Sequence, residues 1–217
     1  MSPVAVDLRM HTVGPVQENC FLLRRDGSDR AVIVDPGEEA SKLLASIEEM
    51  GVQLDAILLT HTHFDHVGAV APIAKATGAE VWVPTLEAEV LANINDYVPW
   101  PGFGPFESWD AEHTVGGGEQ LTLAGFDIDV IFTPGHSPGH VTYSIPEAEI
   151  VFSGDVLFQG SVGRVDLPGG DWPTLLESIR TLVDGLPADT RVCPGHMGVT
   201  SLGAERAENP FLAELAR

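Results

Sequence analysis

One segment constrains this chain more than any other: Leu58-Leu-Thr-His-Thr-His-Phe-Asp-His-Val-Gly68. Three histidines and an aspartate, His61, His63, Asp65 and His66, crowd together directly after an apolar run. Polar groups so concentrated are costly to bury unless something satisfies them. Imidazole nitrogen and carboxylate oxygen are the ligands that borderline divalent metals such as zinc prefer. The segment reads as half of a metal site, and the rest of the chain has to supply the other half.

Three later segments share one form, a β-rich run stopped by a turn that presents a metal-binding side chain. They are Ile131-Phe-Thr-Pro-Gly-His136, Ile150-Val-Phe-Ser-Gly-Asp155 and Arg191-Val-Cys-Pro-Gly-His196. Glycine before each of these side chains permits a tight turn and a close backbone approach. With the opening cluster they bring the set to seven side chains, His61, His63, Asp65, His66, His136, Asp155 and His196. Seven ligands are too many for one tetrahedral ion and suit two ions sharing a carboxylate. Singly, Asp65 could cap a helix, Asp155 form an Asx turn, and each Pro-Gly-His a plain loop; their joint occurrence favours metal. His140 is placed to orient a ligand or to pack a turn. His11 and His113 read as surface or loop residues.

The spacing around this set predicts a single α+β domain over 1–217, in two similar halves of roughly 1–118 and 119–217. Strands are expected at Val4–Met10, Asn19–Arg24, Arg30–Val34, Asp55–Leu59 and Val81–Val83, with helices over Glu38–Met50, Val67–Thr77 and Leu86–Ala92. The second half repeats the rhythm, with strands at Gln120–Leu123, Phe126–Phe132, Val141–Ile145, Ile150–Phe152 and Arg191–Cys193. A helix is expected over Asp171–Asp184, with Asp171 as its cap and Pro173 in its first turn, and a partly helical tail from Gly203. Residues 93–118 carry Tyr97, Trp100, Phe103, Phe106 and Trp109 without periodicity. Such a loop either lines a pocket mouth or packs against the body.

Composition removes several classes of function. Thirty-two acidic residues against 11 basic ones give a formal charge of −21, a field that repels nucleic acid. Cys20 and Cys193 make no disulfide framework and read as small buried side chains. No apolar run approaches the roughly 20 residues of a membrane span, and the opening residues lack a signal-peptide pattern, so a cytoplasmic location is expected.

On these residues the chain resembles the metallo-β-lactamase-fold hydrolases, and among them the small glyoxalase II-like (hydroxyacylglutathione hydrolase-like) proteins. The resemblance rests on His61-Thr-His63-Phe-Asp65-His66, Gly14-Pro-Val-Gln-Glu-Asn-Cys-Phe21, Val34-Asp-Pro-Gly37, Gly163-Arg-Val-Asp-Leu-Pro-Gly-Gly170 and Gly203-Ala-Glu-Arg-Ala-Glu-Asn-Pro-Phe211. It implies a four-layer αββα sandwich with the metal site at one sheet edge. It also implies two divalent ions, zinc first, with iron or manganese as alternatives. His61, His63 and His136 would hold one ion, Asp65, His66 and His196 the other, and Asp155 would bridge them. The implied activity is thioester hydrolysis by a metal-bridging hydroxide, as in cleavage of S-lactoylglutathione, with Asp65 orienting the nucleophile. Arg164 would then grip a carboxylate of an anionic small-molecule thioester, or else pair with Asp166. The chain departs from full-length glyoxalase II, whose added C-terminal helices hold much of the glutathione; it stops soon after Asn209-Pro-Phe211.

Three alternatives share the ligand pattern: a mononuclear iron persulfide dioxygenase, a hydrolase of another ester or lactone, and a non-catalytic zinc-binding module. The last is disfavoured because one closed tetrahedral site would suffice for structure. β-Lactam hydrolysis is disfavoured by Asp155 at the bridging position. A monomer or a homodimer is expected.

Overall fold

Residues 20–23 show how the layers form. Cys20 and Leu22 face one side of their strand, Phe21 and Leu23 the other, and all four are buried. Such a strand needs cover on both faces. The same division recurs in Ala31 and Ile33 against Val32 and Val34, and in Ile57 against Leu58.

The computed structural model describes residues 3–98 and 100–213. Its first sheet takes β1 (Val6–Val13), β2 (Glu18–Arg25), β3 (Arg30–Val34), β4 (Gln53–Leu58), β5 (Glu80–Pro84) and β6 (His113–Val115), paired in that order. β1 to β3 form an antiparallel meander, and β3 to β6 run parallel. Helices α1 (Ala40–Met50), α2 (Phe64–Val67), α3 (Val70–Thr77) and α4 (Ala88–Ala92) connect these strands. Leu43, Ile47, Val70 and Ile73 pack on its outer face.

The second sheet takes β7 (Gln120–Leu123), β8 (Phe126–Phe132), β9 (Val141–Ile145), β10 (Ile150–Gly154), β13 (Arg191–Pro194) and β14 (Thr200–Ser201). Between them lie the hairpin of β11 (Leu157–Phe158) and β12 (Ser161–Val162), then α5 (Trp172–Gly185); α6 (Leu202–Glu208) follows β14. Leu175, Ile179 and Leu182 of α5 are fully buried against Val151 and Val192 on this sheet's outer face. Burying each such side chain is worth about 1.5–3 kcal/mol. Phe21, Val34 and Leu58 meet Phe126, Tyr143 and Phe152 between the sheets. The result is the four-layer αββα sandwich that the resemblance implies. Among the described residues, no helix is long and apolar enough to cross a membrane.

Strand direction places the chemistry. β8 and β10 each run antiparallel to β9, and β13 runs parallel to β10, so β8, β10 and β13 all end at the same sheet edge. The end of β4 is brought there by Val141 N donating to Thr60 O at 2.9 Å and Tyr143 Oη donating to Leu59 O at 3.0 Å.

Several boundaries differ from the sequence reading. The single helix expected over Val67–Thr77 is broken at Gly68–Ala69 into α2 and α3. The aperiodic stretch 93–118 holds a 3₁₀ turn at Ile94–Asp96 and the short strand β6, which the neighbouring β5 templates. His113 therefore sits in a strand, stacked on Trp82 and bonded to Glu80. Asp171 does cap α5, accepting from Thr174 N at 2.9 Å. Cys20 and Cys193 are both free and buried.

Candidate metal centre

Each of the seven side chains picked out from the sequence arrives at this one edge. His61, His63, Asp65 and His66 follow β4, His136 follows β8, Asp155 follows β10, and His196 follows β13. Two clusters result, one of His61, His63 and His136, the other of Asp65, His66 and His196, and within each the potential ligand atoms lie within 4.8 Å of one another. Asp155 stands between them. Its Oδ1 lies 3.4 Å from His66 Nε2, and its Oδ2 lies 3.5 Å from both His136 Nε2 and His196 Nε2. Asp65 Oδ2 is 3.3 Å from His196 Nε2.

The ring orientations are fixed from behind. His61 Nδ1–H donates to Thr60 Oγ1 at 3.1 Å, and that hydroxyl in turn donates to Asp35 Oδ2 at 2.6 Å. His66 Nδ1–H donates to Asp35 Oδ2 at 3.1 Å, His136 Nδ1–H to Arg164 O at 2.7 Å, and His196 Nδ1–H to Gln17 O at 3.3 Å. Each of these contacts spends Nδ1 and leaves Nε2 aimed at the centre, the arrangement by which proteins orient metal-binding imidazoles.

Inside the centre the donors are under-satisfied. His61 Nε2 and His136 Nε2 lie 3.1 and 2.8 Å from His63 Nδ1, where a single proton cannot serve both. His66 Nε2 and Asp155 Oδ1 are buried without any hydrogen-bond partner. Buried polar atoms are rarely left so. A nitrogen- and oxygen-rich donor set with lone pairs converging in this way fits divalent metal ions.

Electrostatics divide the rings of the centre. Burial and the neighbouring imidazoles push His61 well below the ordinary histidine range, and burial with His136 pushes His63 down to about 4. Both are therefore neutral, as a metal ligand must be. Burial disfavours charge on His66 as well, yet Asp155 and Asp65 outweigh it and hold that ring well above its usual value. Burial works against the Asp155 carboxylate too, but His66, His196 and His136 pull its pKa below the usual range.

His140 does not face the centre. Its Nε2 accepts from the backbone N–H of Asp155 at 3.1 Å, its Nδ1 meets Thr133 Oγ1 at 3.1 Å, and its ring stacks on His61 at 5.0 Å between centroids. It is therefore placed to orient the backbone that carries Asp155. His11 lies apart, bonded to Ser46 Oγ. Gly195 is required by close approach, because a Cβ there would overlap Asp155 Oδ1 and crowd His66.

Three supporting carboxyls have no assigned role from the sequence. Asp35 accepts from Thr60 N, Thr60 Oγ1 and His66 Nδ1 from a left-handed backbone, φ 48°. Those three bonds turn it toward the backs of the imidazoles, so it serves as a brace although it groups geometrically with His61 and His66. Its signal was present, since Val34-Asp-Pro-Gly37 has the strand-then-turn form of the other three segments. Glu87 is buried and accepts from Thr62 N, Thr62 Oγ1, Ser137 Oγ and Gly139 N. It ties the His61–His63 loop to the loop carrying His136, and nothing in its local sequence announces this. Glu18 is fully buried beside His66 with both oxygens unpartnered, and burial pushes its pKa well up.

The centre floors a cavity of about 490 Å³ lined also by Phe64, Leu86, Val90, Tyr97, Trp100 and Arg164. The aromatic stretch thus does both things considered for it: Tyr97 and Trp100 line the cavity while Phe103 and Phe106 pack on Phe64. Arg164 lies at the cavity wall over Trp100, but its guanidinium is held by Asp166 through bonds of 2.6 and 2.7 Å. The ion-pair alternative is the one the structure displays.

Comparison with known proteins agrees with this geometry. A family model described as "Metallo-beta-lactamase superfamily" matches residues 13–196. Hydroxyacylglutathione hydrolase GloC of Haemophilus influenzae is 36% identical over 220 residues, covering 95% of this chain and 98% of that protein. Among solved structures, the BLEG-1 B3 metallo-β-lactamase is 39% identical at a TM-score of 0.89, covering 95% of this chain and 100% of its own. TTHA1623, solved in a di-iron-bound form, is 43% identical at a TM-score of 0.83, covering 94% and 100%.

Proposed function

The chain belongs to the metallo-β-lactamase superfamily, and from that premise we propose that it is a dinuclear metallohydrolase acting on thioesters, of the hydroxyacylglutathione hydrolase type. One observation carries the reading: Asp155 stands between two three-residue clusters of potential ligand atoms, and its own Oδ1 and the neighbouring His66 Nε2 are buried without a hydrogen-bond partner. His61, His63 and His136 would hold one divalent ion, Asp65, His66 and His196 the other, and Asp155 would touch both. Bound there, the ions would supply Lewis acidity for a carbonyl and acidify water toward neutrality.

The chain's own residues do the rest. Asp65, partly exposed on the cavity floor, is placed to orient a water molecule and to take its proton. Asp35 and Thr60 hold His61 and His66 in one tautomer, and His140 holds the Asp155 backbone. Tyr97 and Trp100 wall the cavity against bulk solvent, which strengthens electrostatic interactions inside it. A thioester carboxylate would meet Arg164 only by sharing its guanidinium with Asp166. Ser137 and Ser153 are buried and donate to Glu87 and to Leu157 O, which supports their reading as turn hydroxyls.

Zinc is the metal proposed first; the di-iron form of TTHA1623 supports iron as the alternative. A second reading, β-lactam hydrolysis, draws support from the BLEG-1 likeness. The test pairs metal analysis with four assays: thiol release from S-lactoylglutathione, thiol release from an apolar acyl thioester, oxygen uptake on glutathione persulfide, and cleavage of a chromogenic β-lactam. Thiol release from either thioester by metal-loaded protein is expected. Oxygen uptake or β-lactam cleavage without thiol release would overturn the proposal.

A further inference from the structure

Nine large apolar side chains are exposed among the described residues, and four of them, Val16, Leu86, Tyr97 and Trp100, line the one cavity that ends on the metal centre. Leu86 is 66% exposed and Tyr97 50%. Below them Val90 and Phe64 continue the apolar wall down to His63 and Asp65. A concentration of exposed apolar surface at a cavity mouth marks a place that an apolar group fills.

Charge points the same way. Arg164 is the one permanent cation among the described residues lining the cavity, and Asp166 already holds it in two hydrogen bonds. A glutathione conjugate brings two carboxylates and one ammonium, and among the described lining residues no second permanent cation answers the other carboxylate. The chain's formal charge of −21 also slows the approach of anions.

Resting on the thioester reading above, we propose that the preferred substrates carry an apolar or aromatic acyl group next to the scissile carbonyl, seated against Leu86, Val90, Tyr97 and Trp100. Small hydroxyacyl groups such as lactoyl leave that wall unfilled. One added methylene in an apolar pocket changes discrimination by roughly 10–200-fold, so an aryl group should gain at least about tenfold over acetyl.

Thioesters of one neutral thiol, N-acetylcysteamine, isolate the acyl side. On metal-loaded protein, kcat/KM for the phenylacetyl thioester is expected to exceed that for the acetyl thioester by about tenfold or more, and also to exceed that for S-lactoylglutathione. In Leu86→Ser and Trp100→Ala the phenylacetyl-to-acetyl ratio is expected to fall toward one. Independently of turnover, the non-hydrolysable thioether S-phenethyl-N-acetylcysteamine is expected to bind the wild-type chain and to bind Trp100→Ala more weakly. Equal rates for the two acyl groups, or S-lactoylglutathione as the best substrate, would overturn the apolar-acyl inference while leaving thioester hydrolysis standing. Hydrolysis of no thioester would overturn both.

Discussion

Glu87 offers the sharpest mutational test, because one buried carboxylate joins both loops that carry His61, His63 and His136. It accepts from Thr62 N at 3.2 Å, Thr62 Oγ1 at 2.6 Å, Ser137 Oγ at 2.6 Å and Gly139 N at 3.0 Å. In Glu87→Ala the two hydroxyls can rotate toward other acceptors, but the amides of Thr62 and Gly139 cannot. A stranded buried donor costs about 1–3 kcal/mol, so two of them should cost about 2–6 kcal/mol. Glu87→Gln keeps one acceptor oxygen for the Ser137–Gly139 side and turns an NH₂ toward Thr62 N–H. It strands one donor and should lose about 1–3 kcal/mol. Urea unfolding of the metal-free protein reads this term alone. Thr62 separates His61 from His63, so metal affinity at that cluster should also fall by about 10–100-fold, as for other partners that orient ligands. Glu87→Ala within about 0.5 kcal/mol of wild type, with unchanged metal affinity, would refute the brace.

Other substitutions probe separate parts of the account. Gly154 has φ +46°, and a Cβ there would run into Thr60 Oγ1 and His140 Nε2, so Gly154→Ala should destabilise the fold by more than 1 kcal/mol in thermal unfolding, roughly the scale of ordinary overpacking. Arg164 holds Asp166 at a pKa of about 2, so the carboxylate stays charged, and the pair intact, until pH falls through about 2; this should appear as the Asp166 midpoint in a carboxyl NMR titration and return to the usual range in Arg164→Ala. Burial pushes the Cys193 thiol up to about 12, and Cys20 is raised as well, so at pH 8 neither should react with a thiol reagent in the folded protein, whereas both should react in urea.

How much of this was legible depended on where the information sat along the chain. His61, His63, Asp65 and His66 lie within a few residues of one another, and local crowding of polar groups after an apolar run is visible without any structure. His136, Asp155 and His196 were legible because each repeats the same strand-glycine-ligand form. Their assembly at one edge follows from the shared direction of β8, β10 and β13, which the alternation of strands and turns foreshadows. Glu87 was not legible, since its four donors come from 25 to 52 residues away. β6 escaped because its three residues owe their conformation to pairing with β5 rather than to any intrinsic pattern. For Arg164 the sequence left a substrate clamp and an ion pair equally open, and only the side-chain positions showed Asp166 in its grip.

The claim on which everything else rests is a two-metal centre spanned by Asp155. Metal stoichiometry of the purified protein, measured beside His61→Ala, tests it most directly. The account predicts about two divalent ions per chain in the wild type and a clear loss in the variant, as for a paired site. A wild type that takes up no ion, or a variant that retains the full complement, would contradict it.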